Sequence, residues 1–240
     1  MVVHGTTADH TRWRTVLPRL ERHATVYAMD RRGRGGSGDA DGYEIRHEFA
    51  DVTAVVDAAA EASRAPVDVL GHSYGGICAL EATRLSKNVR QLVLYEPPVM
   101  LDPTAPALVD RLHALLADGR REDVVVTFFR EVVGMGDDEL ETLRSLASWP
   151  ARVAAAHTLP RELRFDDGYA FDPTRFTSLT TPTLLLAGSD SPQFLQASTR
   201  AVASALPDSR VVVLPGQAHI AMDTAPELFA DTVTTFLYER

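Results

Sequence analysis

Cysteine is almost absent from this sequence, which has a single one, Cys78, among 240 residues. One thiol cannot form an internal disulfide, so folding requires no oxidising compartment. The sequence also lacks any apolar run of about 20 residues, the length that a membrane-spanning helix needs. No secretory signal is recognisable, because Met1–His4 leads directly into a structured pattern. These absences predict a cytoplasmic protein.

Positive charge is also scarce, since 24 Lys and Arg residues stand against 33 Asp and Glu residues and give a formal net charge of −9. An acidic surface repels the phosphates of nucleic acids and anionic lipids, so neither nucleic acid nor membrane is expected as a partner. The sequence has no H-E-x-x-H, no paired-cysteine zinc spacing and no G-x-G-x-x-G placed before a helix. We therefore expect a small-molecule substrate, no metal and no cofactor.

Strand-like apolar runs alternate with helical patterns at both ends of the chain, which is typical of a mostly parallel sheet with helices on both faces. The clearest runs are Val67–Leu70, Val89–Tyr95, Thr183–Ala187 and Val211–Leu214. Residues 97–180 contain no obvious strand pair, and their helical stretches fall at 105–117, 121–133, 137–147 and 150–158. We predict an α/β catalytic core of residues 1–96 and 181–240 with a helical cap, residues 97–180, inserted between two strands.

The strongest chemical signal is Gly71-His72-Ser73-Tyr74-Gly75, which matches the G-x-S-x-G nucleophile elbow. A strand pattern enters this segment and a helix pattern leaves it, as the elbow requires. Small residues two before and two after the serine let the strand and helix approach each other around a strained turn. The pattern predicts that Ser73 is a nucleophile held at the start of a helix.

A serine hydroxyl needs a general base, and His219 follows the last predicted strand in a loop that can reach Ser73. A third residue, an acid, should orient the histidine. Two carboxylates follow predicted strands between the serine and the histidine: Asp190 and Glu96. We favour Asp190 and keep Glu96 as the alternative.

These features resemble the α/β-hydrolase superfamily over essentially the whole chain, as a serine-nucleophile member with a helical cap. His4-Gly5, followed by Trp13, is similar to the family's oxyanion loop, and segment 214–219 is similar to its histidine loop. The resemblance implies an oxyanion hole built from the backbone N–H groups of Thr6 and Tyr74. The family's acid usually follows the seventh strand, here Asp190, and in some haloalkane dehalogenases the sixth, here Glu96.

One departure from the family concerns the first strands. Only Met1–Val3 precedes the His-Gly loop, whereas the family has two strands and a full third strand before it. Two interpretations stay open: the start of the sequence is trimmed or misassigned, or the sheet lacks its N-terminal strands and has about six. Thr25–Met29 would be its exposed edge, which a homo-oligomer would cover.

Together these features predict a hydrolase that cleaves a small, apolar ester or thioester through an acyl-enzyme. The alternative is a lyase, cyclase or carbon–carbon bond hydrolase on the same fold, since fold does not fix reaction. A third alternative is a ligand-binding member without catalysis. Apolar residues of the predicted cap should line the substrate pocket, and we take Phe128 and Trp149, together with Met222, as candidates.

Overall fold

The computed structural model describes residues 1–100, 105–164 and 169–238. Residues 101–104 and 165–168 of the predicted cap, and residues 239–240 of the predicted core, lie outside the described residues. The division of the chain into core and cap domains stays a prediction.

The described chain builds a five-stranded parallel sheet whose strands follow one another in sequence order. The strands are β1 (Val2–Val3), β2 (Val67–His72), β3 (Val89–Tyr95), β4 (Thr183–Gly188) and β5 (Ser209–Leu214). The predicted α/β fold with a mostly parallel sheet is confirmed. Because all strands run the same way, their carboxyl ends meet at one edge of the sheet, where ligands bind in open α/β folds.

Helices connect the strands and cover the sheet. They are α1 (Leu17–Leu20), α2 (Ile45–Ser63), α3 (Tyr74–Leu85), α4 (Pro106–Ala117), α5 (Arg121–Thr127), α6 (Asp137–Ser145), α7 (Trp149–Ala154), α8 (Leu159–Glu162), α9 (Gln193–Ala205), α10 (Ala221–Thr224) and α11 (Pro226–Tyr238). Three 3₁₀ turns add His10–Trp13, Ala156–Thr158 and Pro173–Phe176, and a π-helical turn, Phe128–Val133, continues α5. No helix in the described ranges has the length and apolarity that crossing a bilayer requires.

The sheet has an apolar layer on each face because side chains alternate along every strand. In β3, Leu92 and Leu94 join the cluster that packs against α2, α3 and α9. Val93 and Tyr95 point the other way, into the cluster that packs against α11. Burying each such side chain contributes about 1.5–3 kcal/mol, so the two layers fix the register of the strands.

The predicted strand Thr25–Met29 was wrong in extent. Only Ala28 forms a bridge, parallel to Val2, supported by a hydrogen bond of 2.8 Å from Val2 N to Tyr27 O. The predicted strand is short because the strand beside it, β1, has only two residues and cannot pair with a longer run. Among the described residues the sheet therefore has five strands and a single bridge, where about six strands were expected.

Between β3 and β4, α4 to α8 form what we call the helical segment, residues 105–162. It has an apolar cluster of its own, to which Leu112, Val124, Phe128 and Leu143 contribute. Ile220, from the loop after β5, belongs to the same cluster, so the helical segment packs onto the carboxyl edge of the sheet.

Candidate active site

Ser73 lies at the turn between β2 and α3. Its backbone φ is 53°, in the left-handed region that non-glycine residues rarely adopt. The flanking glycines permit this turn. A Cβ added at Gly71 would lie 2.7 Å from the carbonyl oxygen of Gly75, and one added at Gly75 would lie 2.3 Å from the carbonyl oxygen of His4. Neither position can hold a larger residue unless the backbone moves.

The loop that carries His219 is attached to the ends of β2 and β3. His72 Nε2 donates a hydrogen bond of 3.0 Å to the carbonyl oxygen of His219, and the two rings lie 4.6 Å apart. The Tyr95 hydroxyl donates to the carbonyl oxygen of Ala218 and accepts from Ala221 N at 3.2 Å. Burial, together with the neighbouring His219, lowers the pKa of His72 well below its ordinary value, so its ring is neutral.

Glu96 holds the His219 side chain. Its Oε2 lies 2.6 Å from Nδ1 of His219, and its Oε1 accepts a hydrogen bond of 2.7 Å from Gly188 N. The carboxylate is fully buried, so water does not compete for either contact. Glu96 follows β3 directly and has a φ of 47°, which turns its side chain out of the strand direction. This pairing leaves Nε2 of His219 to exchange a proton with a nucleophile.

The preference for Asp190 as the acid does not agree with this geometry. Asp190 is exposed, and its Oδ1 accepts a hydrogen bond of 2.7 Å from the hydroxyl of Ser189. The loop that carries His219 packs directly against Gly188, where an added Cβ would lie 2.1 Å from the carbonyl oxygen of Gln217. Asp190 N also donates to this carbonyl oxygen, at 2.9 Å, but its side chain contacts Ser189 and not His219. The structure therefore brings the alternative acid, Glu96, to the histidine.

Thr6 and Tyr74, the predicted oxyanion-hole residues, line the same cavity as Ser73. The loop containing Thr6 packs closely against the elbow, because a Cβ at Gly5 would lie 2.9 Å from the Cβ of Ser73. The N-terminus of α3 begins at Tyr74, so the helix dipole also favours negative charge at this point.

His4 fixes the position of this loop. Its Nε2 accepts a hydrogen bond of 3.0 Å from Arg31 N, so Nδ1 carries the proton and donates to the carbonyl oxygen of Gly5 at 2.9 Å. Burial and the positive charge of Arg31 lower the pKa of His4 well below its ordinary value. A neutral His4 therefore joins the oxyanion loop to the loop after residue 30.

Ser73 and His219 line two adjoining cavities under the helical segment. The first, which we call the apolar cavity, has walls formed mainly by Pro98, Phe128, Val132, Val133, Leu163, Phe194 and Leu195. The second, which we call the arginine cavity, contains Arg12 and Arg152 as well as Phe128, Phe129 and Ile220.

Of the three predicted substrate-binding residues, only Phe128 lines these two cavities. Trp149 packs inside the helical segment and donates from Nε1 to Glu122 at 3.3 Å. Met222 is fully buried between the sheet and α11. Trp149 and Met222 therefore have a packing role. The prediction failed for them because the helical pattern in a sequence does not show which face of a helix is directed at the serine.

A buried ionic cluster joins the helical segment to the core. Arg31 donates to both carboxylate oxygens of Glu48, at 3.1 and 2.8 Å, and to Oε1 of Glu162 at 2.9 Å. Arg34 also donates to Glu162. All four side chains are essentially inaccessible to water. Two positive and two negative charges balance each other, which is what allows the cluster to be buried.

The structure adds residues that the sequence did not indicate. Glu162 lines the apolar cavity and Arg152 lines the arginine cavity. Each lies on a short helix of the helical segment, where charged residues normally face solvent. Their burial has no signal in the sequence.

Within the residues that the structure describes, one group of side chains could hold a cation. Ligand atoms of Asp9, His10 and Asp30 lie within 4.8 Å of one another. Asp30 accepts hydrogen bonds from His10 N at 2.7 Å and from Gly36 N at 2.8 Å, so the group also serves to close the loop.

Comparison with known proteins agrees with the fold. The model of the alpha/beta hydrolase family matches residues 1–232, and the chain belongs to this family. A solved alpha/beta hydrolase from Sphaerobacter thermophilus is 33% identical, with a TM-score of 0.84 over 98% of this chain and 91% of that chain. The chain is therefore an α/β-hydrolase-fold hydrolase.

Two curated relatives are enzymes with defined substrates. A 2-hydroxy-6-oxo-2,4-heptadienoate hydrolase from Pseudomonas putida is 31% identical over 205 residues, covering 79% of this chain and 71% of its own length. A 2-hydroxy-6-oxo-6-(2'-aminophenyl)hexa-2,4-dienoic acid hydrolase from Metapseudomonas resinovorans is 25% identical over 262 residues. The match covers 100% of this chain and 84% of that protein.

Proposed function

We propose that this protein is a serine hydrolase that cleaves a small ester or thioester through an acyl-enzyme, with Ser73, His219 and Glu96 as its catalytic triad. One observation carries the proposal: the strained elbow serine shares a cavity with a histidine whose Nδ1 is held 2.6 Å from a buried carboxylate. The arrangement has a nucleophile, a base and an orienting acid, which are the three roles that acyl transfer needs.

In the first half-reaction, Nε2 of His219 takes the hydroxyl proton of Ser73 as the oxygen attacks the substrate carbonyl carbon. Backbone N–H groups of Thr6 and Tyr74 donate to the resulting oxyanion, and each such donor is worth about 2.7–4 kcal/mol in the transition state. His219 then gives its proton to the leaving alcohol or thiol, and the bond between that group and the carbonyl carbon breaks.

In the second half-reaction, water takes the place of the alcohol. His219 removes a proton from the water, the hydroxide attacks the acyl carbon, and Ser73 leaves with the proton that His219 returns. Glu96 holds the ring of His219 and stabilises the imidazolium that forms twice in each cycle. The apolar cavity, with Phe128 and Val133 beside Ser73, would hold the acyl chain.

The second candidate is hydrolysis of a carbon–carbon bond next to a ketone. It is favoured by the two relatives named as hydrolases of 2-hydroxy-6-oxo dienoic acids. The same triad would serve, but the group that leaves the carbonyl carbon is a carbanion, which must take a proton as the bond breaks. The two candidates therefore differ in the leaving group and share Ser73.

The test is turnover of p-nitrophenyl acetate, butyrate and octanoate, and of 2-hydroxy-6-oxo-2,4-heptadienoate, by the unsubstituted protein and by Ser73→Ala. Ester turnover that is lost in Ser73→Ala supports the first candidate, and preferred turnover of the dienoate supports the second. Turnover retained in Ser73→Ala would contradict both. If no substrate is turned over and a fluorophosphonate does not label Ser73, both candidates are wrong, and the remaining interpretation is a ligand-binding protein without catalytic activity.

A further inference from the structure

Arg152 is a buried cation without a matching anion. It lies on α7 with 4% of its surface exposed. It makes no ion pair with any carboxylate in the part of the chain that the structure describes. Its one hydrogen bond is a long one, 3.3 Å from Nη1 to the hydroxyl of Thr7, and its Nε has no partner there. A buried guanidinium in this state is costly, because it has lost its water without gaining an anion.

The other arginines near the site differ from Arg152. Arg31 and Arg34 are paired with Glu162, and Arg12 is paired with Asp223. Arg12 Nε and Arg34 Nη1 also lack a hydrogen-bond partner among the described residues, but each of these guanidinium groups is paired with a carboxylate. Arg152 differs because no carboxylate of the described chain forms an ion pair with it.

The acidic groups nearest to Arg152 are already occupied. Asp223 is bound by Arg12. Asp223 and, after it, Asp9 raise the pKa of Arg152. Oδ1 of Asp9 accepts from both the backbone and the side chain of Thr11. Burial, the largest cause, and the charge of Arg12 lower the pKa of Arg152 to about 9, so the guanidinium remains charged near neutral pH.

Arg152 faces the reacting centre. It lines the arginine cavity together with Ser73, His219 and a second cation, Arg12. The remaining walls are formed by Thr6, His72 and apolar side chains. Its guanidinium carbon lies 5.6 Å from the ring centre of Phe129, which stabilises the positive charge on one side. An anion bound there would be shielded from water and connected through the cavity to the carbonyl that Ser73 attacks.

From this we propose that the arginine cavity is a carboxylate subsite, and that Arg152 selects substrates that carry a carboxylate close to the scissile carbonyl. This inference rests on the proposed attack by Ser73 and adds the substrate class. A carboxylate accepts two hydrogen bonds from a planar guanidinium, and its single charge balances the one arginine that has no ion-pair partner. The substrate would then be an acid with a second, hydrolysable acyl function, and the apolar cavity would accept the rest of the molecule.

The first experiment compares mono-p-nitrophenyl succinate with p-nitrophenyl butyrate, since the two have acyl chains of four carbons and differ in the terminal carboxylate. We expect the ratio of their kcat/KM values to favour the succinate ester in the unsubstituted protein. In Arg152→Met, which keeps an unbranched stem, the ratio should fall about 10- to 100-fold, the range for loss of a charged hydrogen-bonded pair. Arg130→Met, at an exposed arginine of the same helical segment, is the matched control and should leave the ratio unchanged.

A ratio that Arg152→Met leaves within twofold of its original value would overturn the subsite. Loss of turnover in Ser73→Ala tests the proposed function separately, so the two can fail independently. If neither ester is turned over, binding decides. Calorimetric titration of Ser73→Ala should show monomethyl succinate, an anion, binding at least tenfold tighter than dimethyl succinate. Adding Arg152→Met should abolish this preference, and equal affinities would contradict the proposal.

Thermal unfolding provides a readout that a purely structural arginine would not give. Because Arg152 is buried without an anion, Arg152→Met should unfold at the same temperature as the unsubstituted protein or higher. A large decrease in Tm would show that Arg152 serves to hold the helical segment in place, and would overturn its assignment to substrate.

Discussion

Exchange of Glu96 for Gln should nearly abolish turnover, and the structure explains how. Gln has the same size, so its side-chain oxygen can still accept from Gly188 N, which lies 2.7 Å from Oε1 of Glu96. That contact fixes the orientation of the amide and directs its NH₂ group at Nδ1 of His219. Two donors cannot face each other, so His219 must carry its proton on Nε2, where it cannot accept one from Ser73.

The magnitude follows from the tautomer. The same change of acid to amide in a serine protease triad lowers kcat by about 10⁴-fold, or about 5.4 kcal/mol. We expect a loss of this order in Glu96→Gln, and a change of less than about threefold in Asp190→Asn, since exposed surface positions contribute little. The assay is kcat on the best p-nitrophenyl ester, with circular dichroism to show that both variants fold.

The two variants control each other, because both remove one negative charge from a strand end next to the loop of His219. A hundredfold or greater loss in Asp190→Asn, with Glu96→Gln active, would refute the reasoning. It would mean that the loop moves in solution to bring Asp190 to the histidine.

Two further predictions concern the elbow and the buried histidines. Gly75→Ala should lower kcat at least tenfold, because its Cβ would lie 2.3 Å from the carbonyl oxygen of His4. Gly38→Ala is the comparison for the effect on Tm, because Gly38 is exposed and a Cβ there would meet no atom within 4 Å. Burial lowers the pKa values of His4 and His72, whereas unfolded histidines titrate near about 6.5. The unfolded chain therefore binds more protons, and the free energy of unfolding should fall below about pH 6.5, by up to about 1.4 kcal/mol per pH unit per histidine. Urea unfolding between pH 7.5 and 5 measures this slope, and a flat profile would contradict it.

The sequence was most informative where function depends on local spacing. Ser73 could be recognised because a strained turn needs glycine two residues before and after it, and the strand and helix on either side were visible in the pattern. His219 could be recognised because it follows the last strand. Both requirements are met by neighbours in the chain.

The acid could not be chosen from the sequence, because the candidates follow adjacent strands, β3 and β4, and both strand ends reach the same edge. The choice depends on a backbone turn at Glu96, with φ at 47°, and on a close contact at Gly188. Neither the turn nor the contact produces a periodic pattern in the sequence that could be recognised. The same limit applies to Arg152, whose burial depends on how the helical segment packs and not on its own helix.

The ionic cluster around Glu162 has a consequence for how relatives of this protein could exchange parts. Glu162 belongs to the helical segment, whereas Arg31 and Arg34 belong to the loop after residue 30. A chimera that received another helical segment without an acid at this point would leave two buried guanidinium groups with only Glu48 between them. Breaking a buried pair in this way costs about 3–5 kcal/mol. The helical segment and the loop after residue 30 must therefore be exchanged together, although they are far apart in the sequence. We expect functional chimeras to inherit both parts from the same parent.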